Sequence, residues 1–128
     1  MSATLEALVD ELAAESTPVS EALGSAAEAE GFADGRHADV IERVREGYLL
    51  HYGKSRILPS ADPDLALLAG DYLYALGIQR LAATGDCEGV LSLAELIGAC
   101  AGRHAEGRPA EVPALWVATT ASIAAASQ

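Results

Sequence analysis

The chain is poor in aromatic residues and in cysteine, and each shortage excludes a class of protein. Only 5% of its 128 residues are aromatic, so a core must come mainly from aliphatic side chains, which favours packed helices over a β-sandwich. Its two cysteines, Cys87 and Cys100, form no CxxC pair, so neither a zinc site nor a disulfide framework is indicated. We therefore expect two reduced, packed thiols.

Basic residues are also scarce. Eight Lys and Arg stand against 19 Asp and Glu, which gives a formal net charge of −11. A nucleic-acid backbone or an anionic membrane surface is therefore not expected as a partner. Residues 1–35 contain eight acids and no Lys or Arg, whereas residues 36–56 hold five of the eight basic residues. Any local basic surface must come from that second segment.

A long apolar run is absent as well. The longest, over residues 114–126, is too short to span a bilayer and contains Thr119, Thr120 and Ser122. The N-terminus lacks the basic start of a secretion signal. These features predict a cytoplasmic protein without a transmembrane segment.

The pattern that is present predicts an all-α, single-domain bundle of about six helices over residues 1–128. Residues 1–31 should form two acidic helices, one over 4–15 with an apolar stripe at Leu5, Leu8 and Leu12, and one beginning at Pro18. Residues 34–103 should form three helices, capped by Asp34, Asp62 and Asp86. A last helix is expected over 113–127.

The helix that follows Asp62 is the longest, and we expect it to be the centre of the core. Its large apolar residues fall close to one helical stripe, so Leu68, Tyr72, Leu76 and Leu81 are predicted to face inward.

Two segments of this region resemble the trans-polyprenyl diphosphate synthases. The sequence LLAGDYLYA over 67–75 is followed by LAATGD over 81–86, and the resemblance extends over about residues 42–103, roughly half of the chain. It implies part of an all-helical fold. In that family two Asp-rich motifs hold Mg²⁺ ions, which bind the allylic diphosphate and assist its departure.

The chain departs from the family at the residues that carry this chemistry. Without gaps, the segment ERVRE over 42–46 matches the first Asp-rich motif, which puts Arg43 at a ligand position and His51 and Tyr52 at the paired arginines. No second acidic motif follows. We therefore predict no catalytic residue, and only Asp39, Glu42 and Glu46 are left as Mg²⁺ candidates. The alternative for these three is a solvated helix face with i,i+3 or i,i+4 ion pairs.

A ligand pocket is the other kind of site to consider. The candidates are Asp71, in the middle of the predicted core helix, and the aromatic residues Tyr48, Tyr72 and Trp116. The alternative is that they belong to an ordinary core, with Asp71 tying two helices together. The three histidines, His37, His51 and His104, lie on different predicted elements, so no catalytic or zinc role is predicted for them.

These observations predict a non-catalytic, polyprenyl-synthase-like pseudoenzyme that acts as an interaction or accessory subunit. Its partner would be a second copy, giving a homodimer, or a larger synthase-like subunit. A hydrophobic content of 51% and a mean hydropathy of +0.21 favour such pairing. The alternative function is a binding module for an isoprenoid or another lipid-like hydrophobic small molecule. An active Mg²⁺-dependent prenyl transferase is the least favoured hypothesis.

Overall fold

The computed structural model describes residues 2–15, 20, 23–24, 31–33 and 35–126. This part of the chain contains five α-helices and no strand: α1 (Ala3–Ala13), α2 (Ala38–Tyr52), α3 (Pro63–Ala83), α4 (Cys87–Ala105) and α5 (Val112–Ala126), with a 3₁₀ turn at Pro109–Glu111 before α5. The all-α class is confirmed. The predicted helix beginning at Pro18 lies mostly outside the described residues.

Helix starts agree with the cap residues at two of the predicted positions. Asp62 Oδ1 accepts a hydrogen bond from Leu65 N at 2.8 Å, with Pro63 as the first helical residue, and Asp86 Oδ1 accepts one from Gly89 N at 2.9 Å. Helix α2 begins later than its predicted cap. Its N-cap is His37, in a left-handed conformation with φ 63° and without a side-chain cap bond. The predicted cap, Asp34, lies outside the described residues.

The core consists of two groups of buried apolar side chains. The first joins α2, α4, α5 and the end of α3: Val40, Ile41, Val44, Leu81, Leu93, Leu96, Cys100, Val112, Trp116 and Ile123. The second packs α1 against the loop after α2 and the first half of α3: Leu5, Leu8, Leu12, Leu50, Ile57, Leu58, Ala69 and Leu73. Helices α2 and α3 each contribute to both groups, so the two together form the centre of the core, as expected for α3. The stripe predicted for α1 is confirmed.

Helices α2 and α3 approach each other at glycines. A Cβ atom added to Gly47 would lie 2.7 Å from Tyr74 Cδ1 and 2.8 Å from the carbonyl oxygen of Gly70. A Cβ atom added to Gly77 would lie 2.6 Å from Val44 Cγ2. No side chain fits at these distances, so the missing Cβ atoms are what allows the two backbones to come this close.

The inward face predicted for α3 is wrong in part. Its buried residues are Ala69, Gly70, Leu73, Gly77 and Leu81, which follow one another at helical spacing. Leu81 is confirmed as a core residue and Leu76 is partly buried, but Leu68 is 70% exposed and Tyr72 is also exposed. The glycine contacts with α2 fix the rotation of the helix, and that rotation turns Leu68 outward.

Both cysteines of the chain are free. Cys100 is buried as expected, but Cys87 is exposed at the start of α4, so its predicted packing is wrong.

Within the described ranges, no helix has the combination of length and apolar character that a membrane crossing requires.

Candidate functional site

Two carboxylates of α2, Glu42 and Glu46, are fully buried, so the alternative of a solvated helix face is wrong for these two, whereas Asp39 is exposed and near Arg43 at i,i+4. Glu46 Oε1 accepts hydrogen bonds from the backbone N and from Nε of Arg56, at 3.0 and 2.7 Å, and its Oε2 accepts one from the Ser55 hydroxyl at 2.6 Å. Glu42 Oε1 accepts from Arg56 Nη2 at 3.1 Å, and its Oε2 accepts from Phe32 N at 2.7 Å. All four carboxylate oxygens therefore have protein donors.

Ser55 extends this group of contacts into the loop after α2. Its hydroxyl oxygen also accepts hydrogen bonds from the backbone N atoms of Ile57 and Leu58, at 3.2 and 2.9 Å. Because Ser55, Ile57 and Leu58 are all buried, these bonds satisfy polar groups that would otherwise lie unpaired in the core. Glu42 and Glu46 thus fasten both this loop and the segment containing Phe32 to α2.

Arg43, which is also buried, faces α1 and α3. Its Nη1 donates to the carbonyl oxygen of Asp39 at 2.9 Å, and its Nη2 pairs with Glu11 on α1. Glu11 pairs with Arg80 of α3 as well. Burial raises the pKa of the Glu11 carboxyl, but the hydrogen bonds and charges of Arg43 and Arg80 outweigh it and hold that pKa below its usual value.

The three magnesium candidates are therefore already engaged. Glu42 and Glu46 accept hydrogen bonds from Arg56, whereas Asp39 lies on the exposed side near Arg43 and Arg80, at 3.8 and 3.9 Å. A metal ion would have to displace these cationic partners. In the described part of the chain, no three His, Cys, Asp or Glu side chains are placed to hold a metal ion.

Arg45 lies on another side of α2, inside a frame of aromatic rings. Its guanidinium carbon is 4.5 Å from the ring centroid of Phe32, 4.9 Å from that of Trp116 and 5.3 Å from that of Tyr48. The Trp116 ring meets those of Phe32 and Tyr48 edge to face, each at 5.5 Å. Two predicted pocket residues, Tyr48 and Trp116, are thus brought together around a cation.

The frame continues toward the end of α4. The Tyr48 hydroxyl lies 2.9 Å from His104 Nε2, and the Tyr52 ring stacks on the His104 ring at 4.1 Å with an interplanar angle of 5°. Burial, reinforced by the nearby Cys100 thiol and opposed by Arg45, raises the pKa of the Tyr48 phenol. This phenol therefore keeps its proton at neutral pH.

The other two pocket candidates, Asp71 and Tyr72, lie elsewhere. The Asp71 side chain is 73% exposed, and its Oδ1 is 3.2 Å from His51 Nε2, which joins α3 to α2. The Tyr72 hydroxyl donates to Glu15 Oε1 at 3.0 Å. Asp71 is thus a surface carboxylate that ties two helices together.

Two open grooves of about 360 Å³ flank α5. The first, between α4 and α5, is lined by Ser92, Glu95, Leu96, Ala99, Leu115, Ala118, Thr119 and Ser122. The second is lined by Phe32, Ala33, Val117, Thr120, Ala121 and Ala124. The Phe32 ring that contacts Arg45 thus also forms a wall of the second groove.

Sequence reasoning missed Arg45, Phe32, Arg56 and Ser55 as members of these clusters. Their partners lie on other elements, and spacing within one helix does not reveal such contacts. The one available signal was the concentration of five basic residues in 36–56 of an otherwise acidic chain, because three of them, Arg43, Arg45 and Arg56, line these clusters.

Comparison with protein-family models, with curated proteins and with solved structures gives no match to this chain. The resemblance to the polyprenyl synthases thus gains no support from these searches and stays a hypothesis.

Proposed function

We propose that this protein is a non-catalytic helical interaction module that forms a symmetric homodimer through α5. The composition of that helix carries the proposal. Residues 112–126 include no charged residue, although the whole chain has a net charge of −11. A helix at the surface of a monomer normally has charged or polar residues on the side away from the core. Helix α5 has none with a charge.

The part of the chain that the structure describes leaves much of the surface of α5 uncovered. This helix packs against α4 and the 3₁₀ turn, and through Trp116 against Phe32 and Tyr48. Its buried side chains are Val112, Trp116 and Ile123. Val117 is 65% exposed. The exposed residues at helical spacing form what we term the α5 stripe: Ala114, Val117, Ala118, Ala121 and Ala125. At a rise of about 1.5 Å per residue the helix is roughly 22 Å long, and its small side chains permit close approach of another helix.

A second copy of the chain is the occupant that the charges favour. Helices α1 to α4 each contain Asp or Glu, so pairing through their outer faces would bring like charges of two acidic molecules together. Among the described helices, α5 offers a face on which two copies meet without charged residues. A two-fold axis across the α5 stripe makes that face self-complementary.

The polyprenyl-synthase resemblance, the cytoplasmic location and a larger synthase-like partner are further parts of this proposal. The absence of prenyl-transfer chemistry is supported by the engagement of Glu42 and Glu46 with Arg56. It is supported too by the Arg43 guanidinium, which stands at a metal-ligand position of the family motif and pairs with Glu11. Neither observation depends on whether the partner is a second copy of the chain or a larger synthase-like subunit.

The test is the mass of the purified chain by light scattering and sedimentation at micromolar concentration. The unaltered protein should have twice the mass of the 13.1 kDa chain. Val117→Asp should give a monomer with unchanged circular dichroism, because it places two carboxylates face to face across the axis.

Leu68→Asp is the matched control, since it introduces the same charge at an equally exposed apolar position on α3. This variant should remain a dimer. A monomeric unaltered protein, or dissociation by Leu68→Asp rather than by Val117→Asp, would refute pairing through α5.

A further inference from the structure

Arg45 differs from five other arginines of the chain in what surrounds it. Contacts with a carboxylate are made by Arg43, Arg56, Arg80, Arg103 and Arg108. Among the described residues, the contacts of the Arg45 guanidinium are with three aromatic rings, and no carboxylate lies within ion-pair distance. Aromatic faces attract the cation, but they do not accept the directed hydrogen bonds of its five N–H donors in the way that a carboxylate does.

The walls of this frame are held in place by groups described above. The backbone N of Phe32 donates to the buried Glu42 carboxylate, and Trp116 belongs to the core beneath α5. Tyr48 is held through its contact with His104. Each ring around the guanidinium is therefore fixed by a further contact, which reduces the ordering that an ion must impose when it binds Arg45.

The second groove begins at the same frame. Its lining is apolar apart from the Thr120 hydroxyl, and Phe32 is common to groove and frame. A volume of about 360 Å³ lies at the small end of the range for ligand pockets, roughly 300 to 1,000 Å³. The Phe32 ring thus contacts the Arg45 guanidinium and also borders this short apolar groove, which Arg45 itself does not line.

We propose that Arg45 and the second groove bind a small monocarboxylic acid with an apolar chain. Its carboxylate pairs with the Arg45 guanidinium, whose planar fork matches two carboxylate oxygens, and its chain lies along Ala33, Val117 and Ala121. This site shares Val117 and Ala121 with the α5 stripe, so the acid and a second copy of the chain compete for that face, whereas Arg45 lies outside the stripe. It assigns a ligand-binding role to Arg45 and Phe32.

Charge selects a carboxylate over a phosphate in this site. One guanidinium can neutralise a single negative charge, whereas a phosphate group carries up to two and usually meets several cations. The net charge of −11 on the chain also repels a dianion more strongly than a monoanion. Burial, together with the charge of Arg56, lowers the pKa of Arg45, and both effects are offset when an anion sits on the guanidinium.

Trp116 makes the site directly observable, because it is the one tryptophan of the chain and its ring faces Arg45. Tryptophan fluorescence should be followed during titration with sodium octanoate, below the concentration at which octanoate forms micelles, with sodium acetate and sodium chloride as references. Octanoate should produce a saturable change. Acetate, which lacks a chain for the groove, should bind more weakly, and chloride should produce no saturable change.

Two variants test the contributions of the Arg45 guanidinium and of the second groove separately. Arg45→Gln should weaken octanoate binding at least about tenfold, the loss expected when a charged hydrogen-bond partner is removed. Arg108→Gln, which alters an exposed arginine paired with Glu106 and Glu111, should leave binding unchanged. Thr120→Phe should fill the groove and weaken octanoate without changing acetate.

Circular dichroism of every variant reports folding. Light scattering identifies the chain concentrations at which the protein is monomeric and the α5 face is free, and the titrations are made at those concentrations. If Arg45→Gln does not fold, Arg45→Lys replaces it, and the loss of the planar fork should still weaken binding. The proposal is overturned if octanoate gives no saturable change, or if binding is unaffected by Arg45→Gln or its replacement.

Discussion

Glu46 shows how much of the fold depends on one buried charge. Its carboxylate accepts three hydrogen bonds, two from Arg56 and one from Ser55, and it is fully shielded from solvent. A buried carboxylate is stable in such a place when its oxygens are hydrogen-bonded and a cation is near. Here the cation, Arg56, belongs to the loop that Glu46 fastens to α2. The same contacts therefore compensate the charge of Glu46 and hold the loop against the helix.

Replacing Glu46 with glutamine should therefore be severe although the size of the side chain is kept. Glu46→Gln points an amide donor at other donors and leaves Arg56 with less compensating charge, which should lower the free energy of unfolding by about 3 to 5 kcal/mol. Urea denaturation measures the difference. Glu95→Gln, at an exposed position of α4, should change stability by no more than about 0.5 kcal/mol. Equal effects of the two would contradict a structural role for Glu46.

The sequence could not predict the burial of Glu42, Arg43 and Glu46. Their spacing along α2 is equally compatible with i,i+4 pairs on a solvated face. What buries them is the packing of other segments around α2, namely α1 through Glu11, residues 31–33 through Phe32, and the loop through Arg56. Those contacts depend on the three-dimensional arrangement and leave no periodic signal within the helix.

At the scale of elements, the contact between α2 and α3 is fixed by residues without side chains. Gly47 faces Gly70 and Tyr74, and Gly77 faces Val44. Glycine within a helix is unfavourable by about 0.5 to 1 kcal/mol relative to alanine, so these positions give up local helix stability in exchange for close packing.

Gly47→Ala tests this exchange. The added Cβ would meet the carbonyl oxygen of Gly70 at 2.8 Å, and this backbone atom cannot move aside as a side chain can. We expect a net destabilisation of about 1 to 3 kcal/mol. At Gly98 of α4 nothing lies within 4 Å of such a Cβ, so Gly98→Ala should instead stabilise the protein by about 0.5 to 1 kcal/mol. Thermal unfolding of both variants measures the two signs, and stabilisation by both would exclude a tight contact at Gly47.

The starts of the helices could be predicted from sequence better than their faces. Asp62 with Pro63, and Asp86, act locally, so their cap bonds follow from the nearest residues alone. The face of α3 could not be read in the same way. The spacing of hydrophobic residues points to large side chains such as Leu68. The observed face is instead set by Gly70 and Gly77, which have no side chain and therefore let α2 come close.

At the scale of the whole molecule, charge is unevenly distributed. The described helices α1 to α4 carry acidic residues, whereas α5 carries no charge. The charges that make two copies repel each other therefore lie away from the surface that is proposed to join them. Salt should therefore have opposite effects on this dimer and on one held by ion pairs.

Raising the ionic strength from about 0.01 M to about 0.15 M shortens the Debye length from about 30 Å to about 8 Å. Repulsion between two chains of net charge −11 is then screened, so the dissociation constant of the homodimer should fall several-fold. Sedimentation equilibrium at the two salt concentrations measures it. A dissociation constant that rises with salt would indicate an interface built on charge pairs, and with it a different face.

The contacts of Glu46 also bear on the order in which the chain assembles. Its partners Ser55 and Arg56 are nine and ten residues away, whereas the contact of α1 with α3 joins residues 69 positions apart, Glu11 and Arg80. Bringing near neighbours together costs less chain entropy than closing a long loop. We therefore expect α2 and the loop after it to form an early folding unit onto which α1 docks late, which would make the N-terminal helix the first part of the described chain to detach and the last to return.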